Sequence, residues 1–177
     1  MILRSVGTST ESRNMAHEIL CVGEILWDSL PAGPFPGGAP FNVATHLHQA
    51  GQQATMVSRV GDDVPGEEIV CRLRGQGLSA KFVQVDPERP TGLVLVTTDE
   101  TGKPRYEIRE PAAWDAIEMK PALEKRAAAA EAMVFGSLAQ RDSVSRRTAR
   151  ALMSRSPPTY WLGRWFIPFC FPSPGSC

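Results

Sequence analysis

Residues 37–44 read Gly-Gly-Ala-Pro-Phe-Asn-Val-Ala, and this stretch predicts a turn that runs directly into a helix. The two glycines allow the backbone to approach a ligand closely, and the helix directs unpaired N–H groups at the same space. Asn42, in the first helical turn, offers both a donor and an acceptor. Such groups suit a ligand with many hydroxyls. By itself, however, the stretch favours the plainer alternative of a tight turn followed by an asparagine early in a helix.

The segments around this stretch alternate between strand and helix patterns. The apolar run 19–22 has the length of a strand buried on both faces. Asp63 is in position to cap a helix that ends at Gly75 or Gly77. Strands are also predicted at 54–60, 82–85, 91–98, 105–108 and 133–135, and helices at 40–50, 121–132 and 142–153. The alternation predicts an α/β layer fold.

The middle of the chain departs from that alternation. Residues 30–38 are dense in proline and glycine and predict a loop. Asp99-Glu100-Thr101-Gly102 separates the strands at 91–98 and 105–108, which predicts a hairpin. With the strand at 82–85, this hairpin predicts a small antiparallel sheet that projects from the main layer.

Composition excludes several classes of function. The 19 basic and 19 acidic side chains cancel, so no excess of positive charge indicates a nucleic-acid or anionic-membrane partner. The four cysteines form no Cys-x-x-Cys pair and have no histidine at ligand spacing, which argues against a zinc site. No run of about 20 apolar residues is present to span a membrane.

The two ends differ from the body of the chain. We expect residues 1–17 to be a disordered leader and residues 18–155 to form the domain. Residues 156–177 hold five prolines and one charged residue, Arg164, without a helical or strand period. One hypothesis is that this tail is out-of-frame or otherwise foreign sequence; the alternative is a genuine partner-binding tail.

Six short motifs, taken in order, resemble those of the ribokinase-like (PfkB) carbohydrate kinases, and among them the fructokinase-like members. The resemblance runs from about residue 19 to residue 153. The motifs are Val22-Gly23-Glu24 with Asp28, Gly37 to Ala44, Val60-Gly61-Asp62-Asp63, Pro90-Thr91-Gly92, Arg109 with Ala112-Ala113-Trp114, and Phe135-Gly136-Ser137-Leu138. The resemblance implies part of a ribokinase-like three-layer α/β/α domain, with a small β-sheet lid that includes the strands at about 82–108.

The resemblance also implies a function and a site. The family's reaction is ATP-dependent phosphorylation of a sugar hydroxyl, and fructose is the leading substrate. Asp28 would accept hydrogen bonds from sugar hydroxyls, the alternative being a turn residue, while Gly37, Gly38 and Asn42 would hold the sugar. Arg109 would contact the substrate or remain a surface charge. The motif 61–63 is expected to be a turn and a helix cap rather than a catalytic pair. A cytoplasmic location and a homodimer formed through the lid are further expectations.

Two motifs that the family uses for ATP are missing from the sequence. The family's Gly-Ala-Gly-Asp turn, which supplies the anion hole and the catalytic base, does not occur, and neither asparagine has a glutamate three residues later. We therefore expect no catalytic residue in this chain, weak binding of ATP and Mg²⁺, and no activity of the chain by itself. The alternatives are a non-catalytic sugar-binding remnant and a pseudogene product.

Overall fold

A parallel sheet of four strands organises residues 16–155, the part of the chain that the computed structural model describes. The strands of this part are β1 Glu18–Val22, β2 Leu26–Leu30, β3 Gly33–Gly37, β4 Gln53–Gly61, β5 Val83–Asp86, β6 Gly92–Thr98, β7 Pro104–Ile108 and β8 Ala132–Phe135. Its α-helices are α1 Ala39–Gln49, α2 Val64–Gly75, α3 Pro121–Ala129 and α4 Ser143–Met153. The predicted tail, and all of the predicted leader except residues 16 and 17, lie outside the described residues.

The main sheet has the strand order β5-β4-β1-β8. β1 lies between two parallel neighbours, with Ile19 opposite Ala54 of β4 and Ala132 of β8. This central position explains why β1 is a continuous apolar run rather than an alternating one. The strand predicted at 19–22 is confirmed as the middle of the sheet.

Helices cover both faces of the main sheet. Cys21 of β1 packs in a core that includes Phe41 of α1 and Leu73 of α2. Its neighbour Leu20 points to the opposite face and packs with Leu123 of α3 and Leu152 of α4. Because successive side chains of a strand alternate between faces, one short strand contributes to two cores. The predicted three-layer α/β/α arrangement is confirmed.

A second sheet of four strands, the lid sheet, has the order β3-β2-β6-β7. β2 pairs antiparallel with β3 and parallel with β6, and β6 pairs antiparallel with β7. The hairpin predicted around residues 99–102 is therefore confirmed. The loop predicted at 30–38 is wrong, because residues 33–37 form β3. Strand β3 is at the edge of the sheet, where Pro34 and Pro36 can be accommodated without backbone N–H groups.

The strand predicted at 82–85 belongs to the main sheet instead of the lid sheet. In β5, Val83 pairs with Ser58 and Asp86 with Gly61 of β4, in parallel. The lid strands expected within 82–108 are thus reduced to β6 and β7, and the other two come from residues 26–37. The sequence of a short apolar strand does not indicate which of two sheets it joins. The sheet to which β5 belongs is decided by its pairing with β4.

Two helix boundaries can be compared with their predictions. Asp63 caps α2 as predicted, its Oδ1 accepting from the Gly66 N–H at 2.8 Å. The helix predicted at 121–132 is too long, because α3 ends at Ala129. The Glu131 N–H donates to the Glu18 carbonyl at 2.8 Å, which draws the backbone into the main sheet. Among residues 16–155, no helix combines the length and the apolar character needed to cross a membrane.

Candidate functional site

The start of α1 meets the carboxyl ends of two strands of the main sheet. Gly23 follows β1 and Gly136 follows β8, and the Gly136 N–H donates to the Val22 carbonyl at 3.0 Å. A Cβ on Gly23 would lie 2.8 Å from Pro40 Cγ, so the packing leaves no room for a side chain. In α/β folds, ligands bind outside the carboxyl ends of parallel strands. The geometry therefore indicates a candidate site at this edge.

Gly38 forms the turn between the lid sheet and α1. Its φ of +111° is a conformation that glycine adopts readily and other residues do not. A Cβ here would lie 2.4 Å from the Glu24 carbonyl oxygen, so the close approach of two backbone segments also requires glycine. Gly38 thereby sets the direction in which α1 begins and in which its first N–H groups point.

Asp28 lies against the first glycine of the pair. Leu26 of β2 pairs with Gly37 of β3, and Asp28 is two residues further along β2 on the same face of the lid sheet. Its Oδ2 occupies the space of a side chain at position 37, since a Cβ on Gly37 would lie 2.1 Å from it. Asp28 is half-buried, and burial raises the pKa of its carboxyl to about 6.

Asn42 is in the first turn of α1, where its N–H donates to the Gly38 carbonyl at 2.9 Å. Its side-chain Oδ1 is buried and has no hydrogen-bond partner among the described residues. A buried acceptor without a donor is costly, so such a group in a native site calls for a ligand or a water molecule. The structure thus links Asp28, Gly37, Gly38 and Asn42 through direct contacts, as the sequence analysis grouped them.

Glu24 lies beside this group, although the sequence analysis gave it no role. Its side chain is almost wholly buried, with 2% of the residue exposed. Oε1 accepts from the Ala39 N–H at 3.2 Å, while Oε2 has no partner among residues 16–155. Burial raises the pKa of this carboxyl to about 7, opposed by its backbone hydrogen bonds and by nearby Arg141. The available signal was a glutamate directly after a buried strand and a glycine.

Arg109 lies at the end of β7, on the margin of the lid sheet. Its N–H donates to the Leu93 carbonyl at 2.9 Å, and its Nε lies 3.4 Å from Glu107 Oε1. The side chain is 57% exposed. These contacts stay within the lid sheet, and none of them joins Arg109 to Asp28 or Asn42.

Arg141 holds one connection between the lid sheet and the main domain. Its guanidinium pairs with both carboxylate oxygens of Asp115 at 2.6 Å and stacks 3.9 Å from the centre of the Trp114 ring. Its Nη1 also lies 2.8 Å from Glu110 Oε1, just beyond β7. These contacts fix the segment through which the chain leaves the lid sheet.

Asp63 holds the connection at the start of β6. Besides capping α2, its carboxylate accepts from the Thr91 N–H at 2.8 Å and from the Thr91 hydroxyl at 2.5 Å. Thr91 immediately precedes β6, so one carboxylate ties the entry to the lid sheet to the start of a helix. This supports the predicted role of residues 61–63 as a turn and a cap.

Between residues 16 and 155, no group of three or more histidine, cysteine, aspartate or glutamate side chains is arranged to hold a metal ion. In the motif 61–63, Asp63 already accepts hydrogen bonds from Gly66 and Thr91.

Comparison with known proteins places these features in a family. Residues 33–154 match the model of the pfkB family carbohydrate kinases. A fructokinase of Vibrio alginolyticus is 30% identical over 92 residues, which are 49% of this chain and 30% of that protein. A 2-dehydro-3-deoxygluconokinase of Thermoproteus tenax is 41% identical over 59 residues, 33% of this chain and 18% of that protein.

Solved structures show the same fold. The sugar kinase PH1459 of Pyrococcus horikoshii matches with a TM-score of 0.70 and 25% identity, over 81% of this chain and 51% of that one. The fructokinase of Xylella fastidiosa matches with a TM-score of 0.70 and 22% identity, over 81% and 49%. The chain thus spans about half the length of these structures. Since the family match covers most of the described residues, the chain belongs to the pfkB family of carbohydrate kinases.

Proposed function

We propose that this chain forms the sugar-binding part and the lid of a kinase that transfers a phosphoryl group from ATP to a sugar hydroxyl. The observation that carries the proposal is the junction at the diglycine turn. There Asp28 lies over Gly37, and the buried Asn42 Oδ1 lacks a donor. Sugar hydroxyls are donors, and they would satisfy both acceptors at once.

The lid sheet supports the same proposal. Asp28 is on β2 and Gly37 is the last residue of β3, so two of the proposed sugar-binding residues belong to the lid sheet itself. Closure of such a sheet over a sugar would exclude water, which would otherwise compete with the sugar hydroxyl for the phosphoryl group. The contacts of Asp63 before β6 and of Arg141 after β7 would help to define where the sheet moves relative to the main domain.

Fructose is our leading substrate, and a sugar acid is the second candidate. Several relatives bear the name fructokinase, among them those of V. alginolyticus and Escherichia coli. A sugar acid is favoured by Arg109, an exposed guanidinium on the lid margin that could pair with a carboxylate. The relative named 2-dehydro-3-deoxygluconokinase is in line with this second candidate.

We also propose that these 177 residues do not phosphorylate a sugar by themselves and bind ATP and Mg²⁺ weakly. The sequence has no Gly-Ala-Gly-Asp turn to supply an anion hole and a base. Each of those contributions is worth on the order of 10²–10⁴-fold in rate. One related structure, that of PH1459, is of a complex with ATP. A non-catalytic sugar-binding remnant and a pseudogene product are the competing interpretations.

Two further parts of the proposal concern assembly and location. We propose a homodimer formed through the lid, because β7 is an edge strand of the lid sheet and its residues are largely exposed. Edge strands of this kind can pair with a second copy. A cytoplasmic location belongs to the same proposal, because the reaction consumes ATP.

Titration calorimetry of the full chain with fructose, ribose and 2-dehydro-3-deoxygluconate tests the sugar-binding role. We expect saturable binding of one of these sugars, weakened at least tenfold in Asp28→Asn and in Asn42→Ala, because each loses an acceptor for a sugar hydroxyl. Glu67→Gln, on the exposed side of α2, is the control and should bind like the unaltered chain. A coupled assay with ATP should show no turnover. Absence of binding, or equal binding by all variants, would disprove the proposal.

A further inference from the structure

Glu24 lies outside the group of side chains proposed to hold the sugar, yet it contacts the segments that present them. Ala39 is the first residue of α1, and its N–H donates to Glu24 Oε1 at 3.2 Å. The carbonyl oxygen of Glu24 would lie 2.4 Å from a Cβ on Gly38. Through its backbone and its side chain together, Glu24 therefore fixes the peptide that follows the diglycine turn.

The other side of the carboxylate faces the end of β8. A Cβ on Gly136 would lie 2.3 Å from Glu24 Oε2 and 2.9 Å from Pro40 Cγ. The carboxylate thus lies where the residues after β1, the first turn of α1 and the residue after β8 meet. A displacement of this side chain would be passed to α1, because the packing leaves no free space for it.

The charges around Glu24 are few. The first turn of α1 contains no acidic residue. The basic residues of this helix, His46 and His48, are in its last turn. β8 carries no charged residue, and the charged group that acts on Glu24 is Arg141, in the segment before α4. A carboxylate at the N-terminus of α1 interacts favourably with the helix dipole. The bond to Ala39, the helix dipole and Arg141 favour the ionised form, whereas burial favours the protonated form and outweighs them.

We propose that Glu24 is the positioning residue of this site, holding the diglycine turn and the start of α1 against the ends of β1 and β8. The inference rests on the sugar-binding role proposed for that turn. Glu24 would act through Ala39 and Gly38, so that its loss would misplace Asn42 and the first N–H groups of α1. Its effect on sugar affinity would therefore be indirect.

Two substitutions separate this role from a general effect on folding. Glu24→Gln keeps the shape of the side chain but removes its charge. It also places an NH₂ group, a hydrogen-bond donor, at the position of Oε2, where no acceptor is available. Gly136→Ala leaves the carboxylate intact and displaces it, because the added Cβ would lie 2.3 Å from Oε2. We expect both to weaken sugar binding by about tenfold, as the loss of a charge-assisted hydrogen bond does. Glu67→Gln should have no effect.

The amide resonance of Ala39, followed by NMR as a function of pH, reports on the contact without any sugar. In the full chain it should titrate with a midpoint near pH 7, because burial raises the pKa of Glu24 to about 7. The titration should persist in Asp28→Asn and disappear in Glu24→Gln. A purely structural glutamate, distant from the turn, would not produce it.

The outcomes are distinct. If the unaltered chain binds none of the sugars, the proposed function fails, while the Ala39 resonance still decides whether Glu24 holds the turn. If Asp28→Asn weakens binding but Glu24→Gln and Gly136→Ala bind like Glu67→Gln, the positioning role is wrong. If Glu24→Gln does not fold, Gly136→Ala carries the test. An Ala39 resonance that shows no titration at any pH, or a titration that Glu24→Gln leaves unchanged, would also overturn the inference.

Discussion

At the residue scale, the contact between Asp28 and Gly37 is the feature on which the site depends most. Replacing Gly37 by alanine would place a methyl group 2.1 Å from Asp28 Oδ2 and 2.9 Å from its Cγ. We expect Gly37→Ala to lose on the order of 1–3 kcal/mol of folding free energy and at least tenfold in sugar affinity, because the carboxylate must move. Urea unfolding and calorimetry would measure the two effects.

Gly75 provides a matched control for that substitution. It is the last residue of α2, a Cβ added to it would meet no atom within 4 Å, and its φ is not positive. Gly75→Ala should leave sugar binding unchanged and keep or raise stability, by up to about 1 kcal/mol, since alanine is the better helix former. Equal effects at positions 37 and 75 would contradict the contact described for Asp28.

A second prediction at this scale concerns pH. Burial raises the pKa of Glu24 from its ordinary value of 4.5 to about 7 in the folded chain. A carboxyl with a raised pKa binds its proton more tightly when folded, so its contribution is complete below about pH 4.5 and is lost as the pH rises through 7. We expect the free energy of unfolding to fall by about 3 kcal/mol across that window on account of Glu24.

Other carboxyls modify that profile in known directions. Asp28, whose pKa is raised to about 6, contributes with the same sign. Hydrogen bonds and Arg59 lower the pKa of Asp86 below its ordinary 3.8, so its effect lies at a more acidic pH. Urea unfolding between pH 5 and pH 8 should therefore show a slope that Glu24→Gln reduces by more than half. An unchanged slope in that variant would refute the assignment.

Only part of the arrangement of the candidate residues could be predicted from the sequence. Gly37, Gly38 and Asn42 lie within six consecutive residues, so their proximity followed from the turn and the first helical turn. The placement of Asp28 over Gly37 depends on the β2–β3 pairing, which the proline-rich composition of residues 33–37 concealed. Glu24 was overlooked because burial of a carboxylate at the end of a strand is a tertiary property.

At the element scale, the patterns with strong local signals were predicted correctly. The apolar run of β1 and the Asp63 cap of α2 are examples in which a few neighbouring residues determine the structure. β3 and β5 were assigned wrongly because their partners are distant or ambiguous in sequence. β3 depends on β2 at the edge of the lid sheet, and β5 on register with β4.

The two capping aspartates make a prediction at this scale. Asp142 caps α4 through a single bond to the Val144 N–H, whereas Asp63 caps α2 and also accepts two bonds from Thr91. Asp142→Ala should cost about 1 kcal/mol, the usual value for a cap. Asp63→Ala should cost about 2–4 kcal/mol, because Thr91 also loses its partner at the base of the lid sheet.

Urea unfolding of both variants measures the difference. Asp63→Ala should in addition weaken sugar binding, since the entry to the lid sheet is no longer held, whereas Asp142→Ala should not. Equal losses of stability in the two variants would show that the bonds to Thr91 contribute nothing beyond the cap.

At the scale of the whole molecule, β8 is an edge of the main sheet. Within residues 16–155 it pairs with β1 on one side, and no described strand lies on the other. Its apolar side chains and unpaired backbone groups make such an edge prone to pairing between chains. We expect the 177-residue chain to self-associate with increasing concentration in sedimentation experiments. A monomer with one cooperative thermal transition at all concentrations would contradict this.

The most direct test of the sugar-binding role is a fructose titration of the isotope-labelled full chain, followed by NMR. The backbone amides of Asp28, Gly38 and Asn42 should shift together along one saturation curve, because the acceptors around the diglycine turn would bind one sugar. Amides of α4, on the far face of the main sheet, should remain in place. Shifts confined to other parts of the chain, or no shifts at saturating fructose and at saturating 2-dehydro-3-deoxygluconate, would contradict the account.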